Sequence, residues 1–259
     1  MATIGFAMIV KNEEATIRMT LESIAWADEI VVVIDSKSSD ATESIVREYT
    51  DKVYVQEWLG YGKQRNVSLE KMTTDWIFII DGDEYLSPEL AQELRVCDER
   101  YDGYEIYRSI RIGDIHLKGP CHNPYNLRLF KRSSASYNDN FVHEQLVFHE
   151  SPRIGRLKNK FIHYFLHMHD WLANYNSYTT LEAKKRVVFE NKTYSKVGLL
   201  CRMWWAFPDM FIVTFIKKKS YRDGVLGIVM SGLRGMYKFL EYVKIYELLY
   251  MKSRQSIKK

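Results

Sequence analysis

The chain has 259 residues, with 37 Lys+Arg against 33 Asp+Glu and a formal net charge of +4. Its 46% hydrophobic and 14% aromatic content, with five prolines and 13 glycines, excludes a disordered, low-complexity or collagen-like chain. Three cysteines, Cys97, Cys121 and Cys201, form no CxxC pair, which excludes a secreted disulfide scaffold and makes a reducing cytoplasm the expected compartment.

The first hundred residues alternate strand and helix patterns. Ile4–Val10 is a short apolar run with the character of a buried strand. Glu13–Ala25 follows with Ile17, Leu21 and Ile24 at helical spacing. Ile30–Asp35 is β-branched and strand-like. Asp40 and Glu43 have the spacing of a capping box for a helix through Tyr49. Lys52–Gln56 reads as a third strand, Lys63–Met72 as a helix and Asp75–Asp81 as a fourth strand. Ser87-Pro88-Glu89 then opens a helix with a cap, Pro at the first position and an acid in the first turn. Such alternation predicts a parallel, doubly wound sheet whose ligands sit beyond the carboxyl ends of the strands. Shorter strands are expected at Tyr104–Ile112, Asn126–Lys131 and Gln145–Phe148, and mostly helix over 161–259. One polar stripe, Arg234, Lys238, Glu241, Lys244 and Glu247, is expected on the last helix.

The strand-end rule selects Lys11-Asn12-Glu13, Asp35 and Asp81-Gly82-Asp83-Glu84. Two carboxylates one residue apart, just past a buried run, can share a hard cation with a substrate diphosphate. Gly82 permits close backbone approach. The alternative is a solvated acidic turn before the Ser87 helix. Asp35 can hydrogen-bond a nucleobase or ribose, its alternative being helix capping. Lys63 and Arg65 offer a point charge and a fork to phosphates, or else a solvated helix face.

The segments MIVKNEE at 8–14, IDSKSSDAT at 34–42, GKQRN at 62–66 and WIFIIDGDE at 76–84 resemble the family 2 glycosyltransferases. The subgroup most resembled is the bacterial lipopolysaccharide and lipooligosaccharide core β-1,4-glucosyltransferases. Val142-His143-Glu144 and Lys218–Gly227 extend the likeness into the second half. The resemblance implies an α/β GT-A fold, a Rossmann-like and mainly parallel sheet flanked by helices, with a mostly helical C-terminal extension. With the strand and helix pattern along the chain, a catalytic domain is expected over 1–165, its nucleotide-sugar half at about 1–100 and its acceptor half at about 101–165, followed by a helical, basic extension over 166–259. The resemblance also implies a UDP-sugar donor, Mg²⁺ or Mn²⁺ on Asp83 and Asp81, and inversion at the anomeric carbon. Inversion needs one base for the acceptor hydroxyl. The commonest pattern takes that base from a Glu-Asp pair; this chain has His143-Glu144, so Glu144 is the expected base and His143 the runner-up.

His163, His167 and His169 cluster in HYFLHMHD. His163 or His167 can complete the metal site, and as an i, i+4 pair on a helix they would also suit zinc. The simpler reading is histidines near the acceptor pocket.

Residues 1–183 hold 20 basic and 28 acidic residues, a balance of −8, whereas 184–259 hold 17 and 5, a balance of +12. No export signal is read at Ile4–Val10, because Lys11, Glu13 and Glu14 follow at once. The longest apolar run, Trp204–Ile216, is interrupted by Pro208 and Asp209 and falls short of a span of about 18–20 residues. A cytoplasmic protein with peripheral membrane contact is therefore expected. Trp204, Trp205, Phe207, Phe211 and Phe215 beside Lys217-Lys218-Lys219 suit an anionic leaflet, or else a helix packed on the catalytic domain. No nucleic-acid-binding signature accompanies the basic residues. The expected activity is transfer of a sugar, with glucose favoured, from a UDP-sugar to a lipid-linked or other envelope glycan. The rivals are a peptide or other polysaccharide acceptor, a nucleotidyltransferase, which lacks support because Met8–Glu14 has no Gly-rich phosphate loop, and a degenerate binding scaffold.

Overall fold

The structure is a computed structural model that describes residues 2–98, 100–119, 124–138 and 145–251. The chain divides into two compact units, residues 1–115 with 124–166, and residues 116–123 with 167–259.

In the first unit, β1 (Ile4–Val10), α1 (Ile17–Ile24), β2 (Glu29–Asp35), α2 (Thr42–Val46), β3 (Val53–Gln56), α3 (Tyr61–Glu70) and β4 (Trp76–Ile79) alternate. There follow β5 (Glu84–Leu86), α4 (Pro88–Leu94), β6 (Gly103–Ile112), β7 (Ile115–His116), β8 (Tyr125–Lys131), β9 (Ala135–Tyr137), β10 (Leu146–Phe148) and β11 (Ile154–Phe165). The main sheet has the order β3-β2-β1-β4-β8-β6-β11-β5, with β7 paired to β6. Strands β3, β2, β1 and β4 are parallel. β8 runs antiparallel to both β4 and β6, and β11 runs parallel to β6 and antiparallel to β5. The parallel half is buried at every position of β1 and β2, as its unbroken apolar runs require of a sheet covered on both faces. One face packs Phe6, Phe78 and Phe161 with Leu21 of α1 and Leu90 of α4; the other packs Ile77, Ile79 and Phe130 with Leu69 of α3. Each of these side chains that is fully buried, all but the partly buried Leu69, contributes about 1.5–3 kcal/mol.

Three local differences from the sequence reading have physical reasons. Helix α1 starts at Ile17, not Glu13, because the Glu13 carbonyl closes a tight turn by accepting from Thr16 and Ile17 N–H at 3.0 and 2.8 Å. The capping box does not form. Asp40 accepts instead from the Thr42 and Glu14 N–H groups, and Glu43 pairs with Arg47 one turn on. Residues 161–165 are not helical but end the 12-residue strand β11, which has partners on both sides. The Ser87 cap forms as expected, with Leu90 N–H donating to Ser87 Oγ at 3.2 Å and Pro88 at the first helical position.

The second unit contains α5 (Met168–Lys184), α6 (Lys196–Ile212), which continues as a π-helical turn to Lys217, and α7 (Gly224–Tyr246). Ala183, Leu199, Ala206, Tyr242, Ile245 and Leu248 form its core. The polar stripe of α7 is not a solvated face. Glu241 is buried between Arg186 at 2.7 Å and Lys238 at 2.8 Å, and Lys244 Nζ donates to the Asn176 carbonyl and Thr179 Oγ1 of α5. Asp223 accepts from the Lys118 and Gly119 N–H groups at 2.6 and 3.0 Å, which ties residues 118–119 to this unit. A Cβ on Gly227 would lie 1.8 Å from the Ser220 carbonyl oxygen, so this turn requires glycine. Pro208 does not break α6. Among the described residues the helix Lys196–Lys217, of 22 residues, is thus long and apolar enough to cross a membrane by length and composition, contrary to the run length read from sequence.

Candidate active site

The carboxyl ends of β1, β2 and β4 carry Lys11–Glu13, Asp35 and Asp81–Glu84. Asp35 is 2% exposed, accepts from Lys37 N–H at 2.9 Å and pairs with Lys11 Nζ at 3.0 Å. The Lys37 N–H, and after it Lys11, hold its carboxyl below the usual range against the opposing effect of burial. Asn12 adopts φ +53, a left-handed conformation that Asn tolerates better than most residues. Its Oδ1 accepts from Ser39 N–H at 2.8 Å, and its own N–H donates to Ser38 Oγ at 3.0 Å. Asn12 therefore laces the loop after β1 to the loop after β2.

Asp81 sits between two arginines. Arg65 of α3 reaches its Oδ1 at 2.9 Å and Arg128 of β8 its Oδ2 at 3.1 Å. Arg128 also reaches Glu84 Oε1 at 2.7 Å. Burial would raise the Asp81 carboxyl, but the two guanidiniums overcome it and hold the group well below its ordinary range. Glu84 is completely buried, and burial together with the Asp81 charge pushes its carboxyl up against the pull of Arg128.

Asp83 faces the other way. Its Oδ2 lies 2.8 Å from His163 Nε2, with the two side chains 26% and 20% exposed. The pairing of β5 with β11 sets His163 opposite Glu84, and the Tyr164 N–H donates to the Asp83 carbonyl at 2.8 Å. Burial disfavours the imidazolium, but Asp83, and behind it Glu84, raise the His163 pKa above its ordinary value. Between the Asp pair, Gly82 leaves no room for a side chain: a Cβ would meet Glu13 Cγ at 2.9 Å and Val10 Cγ1 at 3.1 Å. Thr20 Oγ1 fixes the loop by donating to the Gly82 carbonyl at 2.8 Å.

Glu13 packs beneath this turn, and its carboxyl is pushed up to about 7 by burial, then by the Asp83 charge. A raised acid stabilises the fold fully below its unfolded pKa, here about 4.5, and that contribution is lost as pH rises through about 7. In EDTA, Glu13 is expected to remove up to about 3 kcal/mol of stability as pH rises from 5 to 8, and Glu13→Gln to lack that part of the slope. Denaturant unfolding of both proteins at the two pH values checks this; parallel profiles would refute it.

The structure thus brings together Lys11, Asn12, Glu13, Asp35, Arg65, Asp81, Gly82, Asp83 and His163 from the sequence reading. Lys63 is exposed on α3. His143 and Glu144 lie outside the described residues. His163 lies on strand β11 and His167 beyond its end, so the helical i, i+4 pair considered for zinc does not exist. Glu84, which closes the Asp81–Glu84 motif, and Arg128 complete the charge cluster. Arg128 is the member the sequence reading does not single out, and the available signal is a lone arginine inside the apolar run Leu127–Phe130. Among the described residues, no group of three or more His, Cys, Asp or Glu could hold a metal unaided. Asp83 with His163 nevertheless fits a cation that takes its other ligands from diphosphate and water.

The profile of Glycosyl transferase family 2 matches residues 6–143, more than half of the chain. The chain belongs to glycosyltransferase family 2. This family 2 chain is 30% identical to an uncharacterized glycosyltransferase of Rickettsia typhi, over 99% of this chain and 91% of that one. It is 28% identical to the lipopolysaccharide core biosynthesis glycosyltransferase LpsC of Rhizobium meliloti, over 96% and 94%. Among solved structures it is similar to TarS of S. aureus in complex with UDP, with a TM-score of 0.45 and 14% identity over 97% and 93% of the two chains. The family 2 fold here is GT-A, with its parallel half at the N-terminus, its mixed half from β8 onward, and a helical C-terminal region.

Proposed function

We propose that this glycosyltransferase is an inverting, metal-dependent enzyme that moves glucose from UDP-glucose to a cell-envelope glycan, such as a lipopolysaccharide core. The observation that carries the reading is the division of labour in Asp-Gly-Asp. Asp81 is neutralised by two arginines, while Asp83 and His163 are left together at the partly open strand edge. The relative named for lipopolysaccharide core biosynthesis, aligned over nearly the whole chain, supports the acceptor class. Residues 1–165 form the catalytic domain in this reading and 166–259 its basic extension. The protein works in the cytoplasm, peripheral to the inner face of the membrane.

Asp83 and His163 would hold Mg²⁺ or Mn²⁺, the imidazole nitrogen favouring Mn²⁺. When bound, the cation supplies Lewis-acid stabilisation of the charge that develops on the departing UDP. Asp81 does not join it as a ligand but fixes the turn that carries Asp83. Asp35, backed by Lys11, receives the nucleoside, and the Asn12–Ser39 lacing holds that pocket's floor. Lys63 and Arg65 contribute positive charge for the diphosphate. Glu144 takes the acceptor proton, with His143 beside it in sequence.

UDP release from a panel of UDP-sugars tests the donor: UDP-glucose is expected to give the highest rate, and no turnover of any donor would leave only a binding scaffold. Glu144→Gln is expected to lower transfer at least about a thousandfold, as loss of a general base with its local charge implies. Binding of UDP-glucose, measured by calorimetry, should be unchanged. Near-normal transfer by this variant would remove Glu144 from the role.

A further inference from the structure

We propose that helix α6 and the turn that follows it form a docking surface for an anionic lipid leaflet, with the helix lying in the plane of the leaflet. The proposal rests on the surface of this helical unit and not on the reaction.

Helix α6 and its π-helical continuation are apolar almost all round, yet only 17% of the most apolar stretch is buried. Leu199, Ala206 and Thr214 form the buried face. On the opposite side, Val197, Leu200, Trp204, Ile212 and Ile216 recur at helical spacing and are each at least half exposed. Trp204 is 83% exposed and its neighbour Trp205 is 71% exposed. Val225 and Ile228 at the start of α7 are exposed as well. A scatter of exposed apolar residues needs no explanation, but two tryptophans on a continuous apolar face mark a contact surface. Tryptophan pairs an apolar ring system with a polar N–H, which suits the boundary between headgroup and acyl chain.

Charge decides which surface. Residues 196–222 contain Lys196, Arg202, Lys217, Lys218, Lys219 and Arg222 against the single acid Asp209. Lys217, Lys219 and Arg222 are exposed where the helix ends. A second copy of the chain placed on this face would meet the same cationic segment, whereas an anionic leaflet complements it. Each cation near such a leaflet strengthens binding about fivefold, and the gain fades with salt.

The segment is long enough to span a bilayer, but its surroundings favour lying flat. Its buried face is committed to the helical unit, whose α7 carries the Glu241, Lys238 and Lys244 seam. Asp209, well inside the segment and exposed, would be costly at the centre of a bilayer and is tolerated at an interface.

Co-sedimentation of the full chain with vesicles tests this, using phosphatidylethanolamine with phosphatidylglycerol at about 3:1 against pure phosphatidylcholine. Binding to the anionic vesicles is expected to be at least about tenfold stronger and to fall at high salt. Trp204→Ser with Trp205→Ser should weaken it about tenfold or more. That variant should keep the wild-type unfolding midpoint and the wild-type rate of UDP release in solution. Lys217→Gln, Lys219→Gln and Arg222→Gln together should erase the preference for anionic lipid. Equal binding to both vesicles, or wild-type binding by the tryptophan variant, would overturn the proposal. Retention of the protein in membranes after alkaline carbonate extraction would overturn it in favour of a spanning helix. Self-association lost in the tryptophan variant, without vesicle binding, would overturn it in favour of a second copy. Loss of UDP release with vesicle binding intact would count against the proposed reaction alone.

Discussion

Asp83→Asn is expected to lower UDP release about a thousandfold while leaving the fold in place. Its side chain is partly exposed and touches His163, and the bond that anchors the backbone here, Tyr164 N–H to the Asp83 carbonyl, does not involve the side chain. A Lewis acid contributes several kcal/mol at the transition state, and a loss of about 4 kcal/mol corresponds to three decades of rate. The substitution removes the negative charge but preserves volume and a polar contact to the imidazole. Half-maximal activation should then require far more Mn²⁺, and His163→Gln should shift the same titration by a smaller amount. Asp81→Asn should behave differently, with a reduced unfolding midpoint, because Arg65 and Arg128 would lose their shared counter-charge. Near wild-type UDP release by Asp83→Asn, at unchanged Mn²⁺ dependence, would refute the assignment.

Arg128→Met is expected to destabilise the protein by about 3–5 kcal/mol, the cost of stripping a partner from a buried charge. The Arg128 guanidinium donates to Glu84, Asp81 and the Ile79 carbonyl and lies over the Phe161 ring at 5.2 Å. Glu84 has no exposure to water, so the loss falls on it most heavily. Asp81, whose side chain is 31% exposed and keeps Arg65, is better placed to compensate. Arg128→Lys should recover part of the stability, since a point charge cannot bridge two carboxylates as a fork does. Arg128→Met with Glu84→Gln should be more stable than Arg128→Met alone, because the uncompensated charge is gone. Urea unfolding of the four proteins measures this; an Arg128→Met midpoint equal to wild type would show that the cluster is not coupled.

Much of the site was legible because it lies at strand ends. The apolar runs before Lys11, Asp35 and Asp81 fix where each chain segment leaves the core, and parallel order places those exits on one edge. What strand periodicity does not show is which carboxylate faces which partner. Asp81 and Asp83 look equivalent in sequence, but their partners come from α3, β8 and β11, far away in the chain. Arg128 was missed for the same reason: one arginine in a strand of alternating character gives no hint of a buried carboxylate opposite. His163 stands in contact with Asp83, but its spacing to His167 suggests a helical pair that does not form, because β11 claims residues 154–165 for the sheet. Glu241 shows a similar limit of periodicity. Its spacing with Lys238 and Lys244 marks one helix face, and only the packing of α5 and α7 shows that this face is internal.

The proposed reaction is cation-assisted transfer of glucose from UDP-glucose at the Asp83–His163 edge. The most direct measurement follows labelled glucose from UDP-glucose onto a truncated lipopolysaccharide core, with Mn²⁺ and with EDTA, for wild type and Asp83→Asn. Label on the glycan and matching UDP release are expected for wild type with Mn²⁺, and neither in EDTA nor in the variant. Equal transfer in Mn²⁺ and EDTA by both proteins would contradict it.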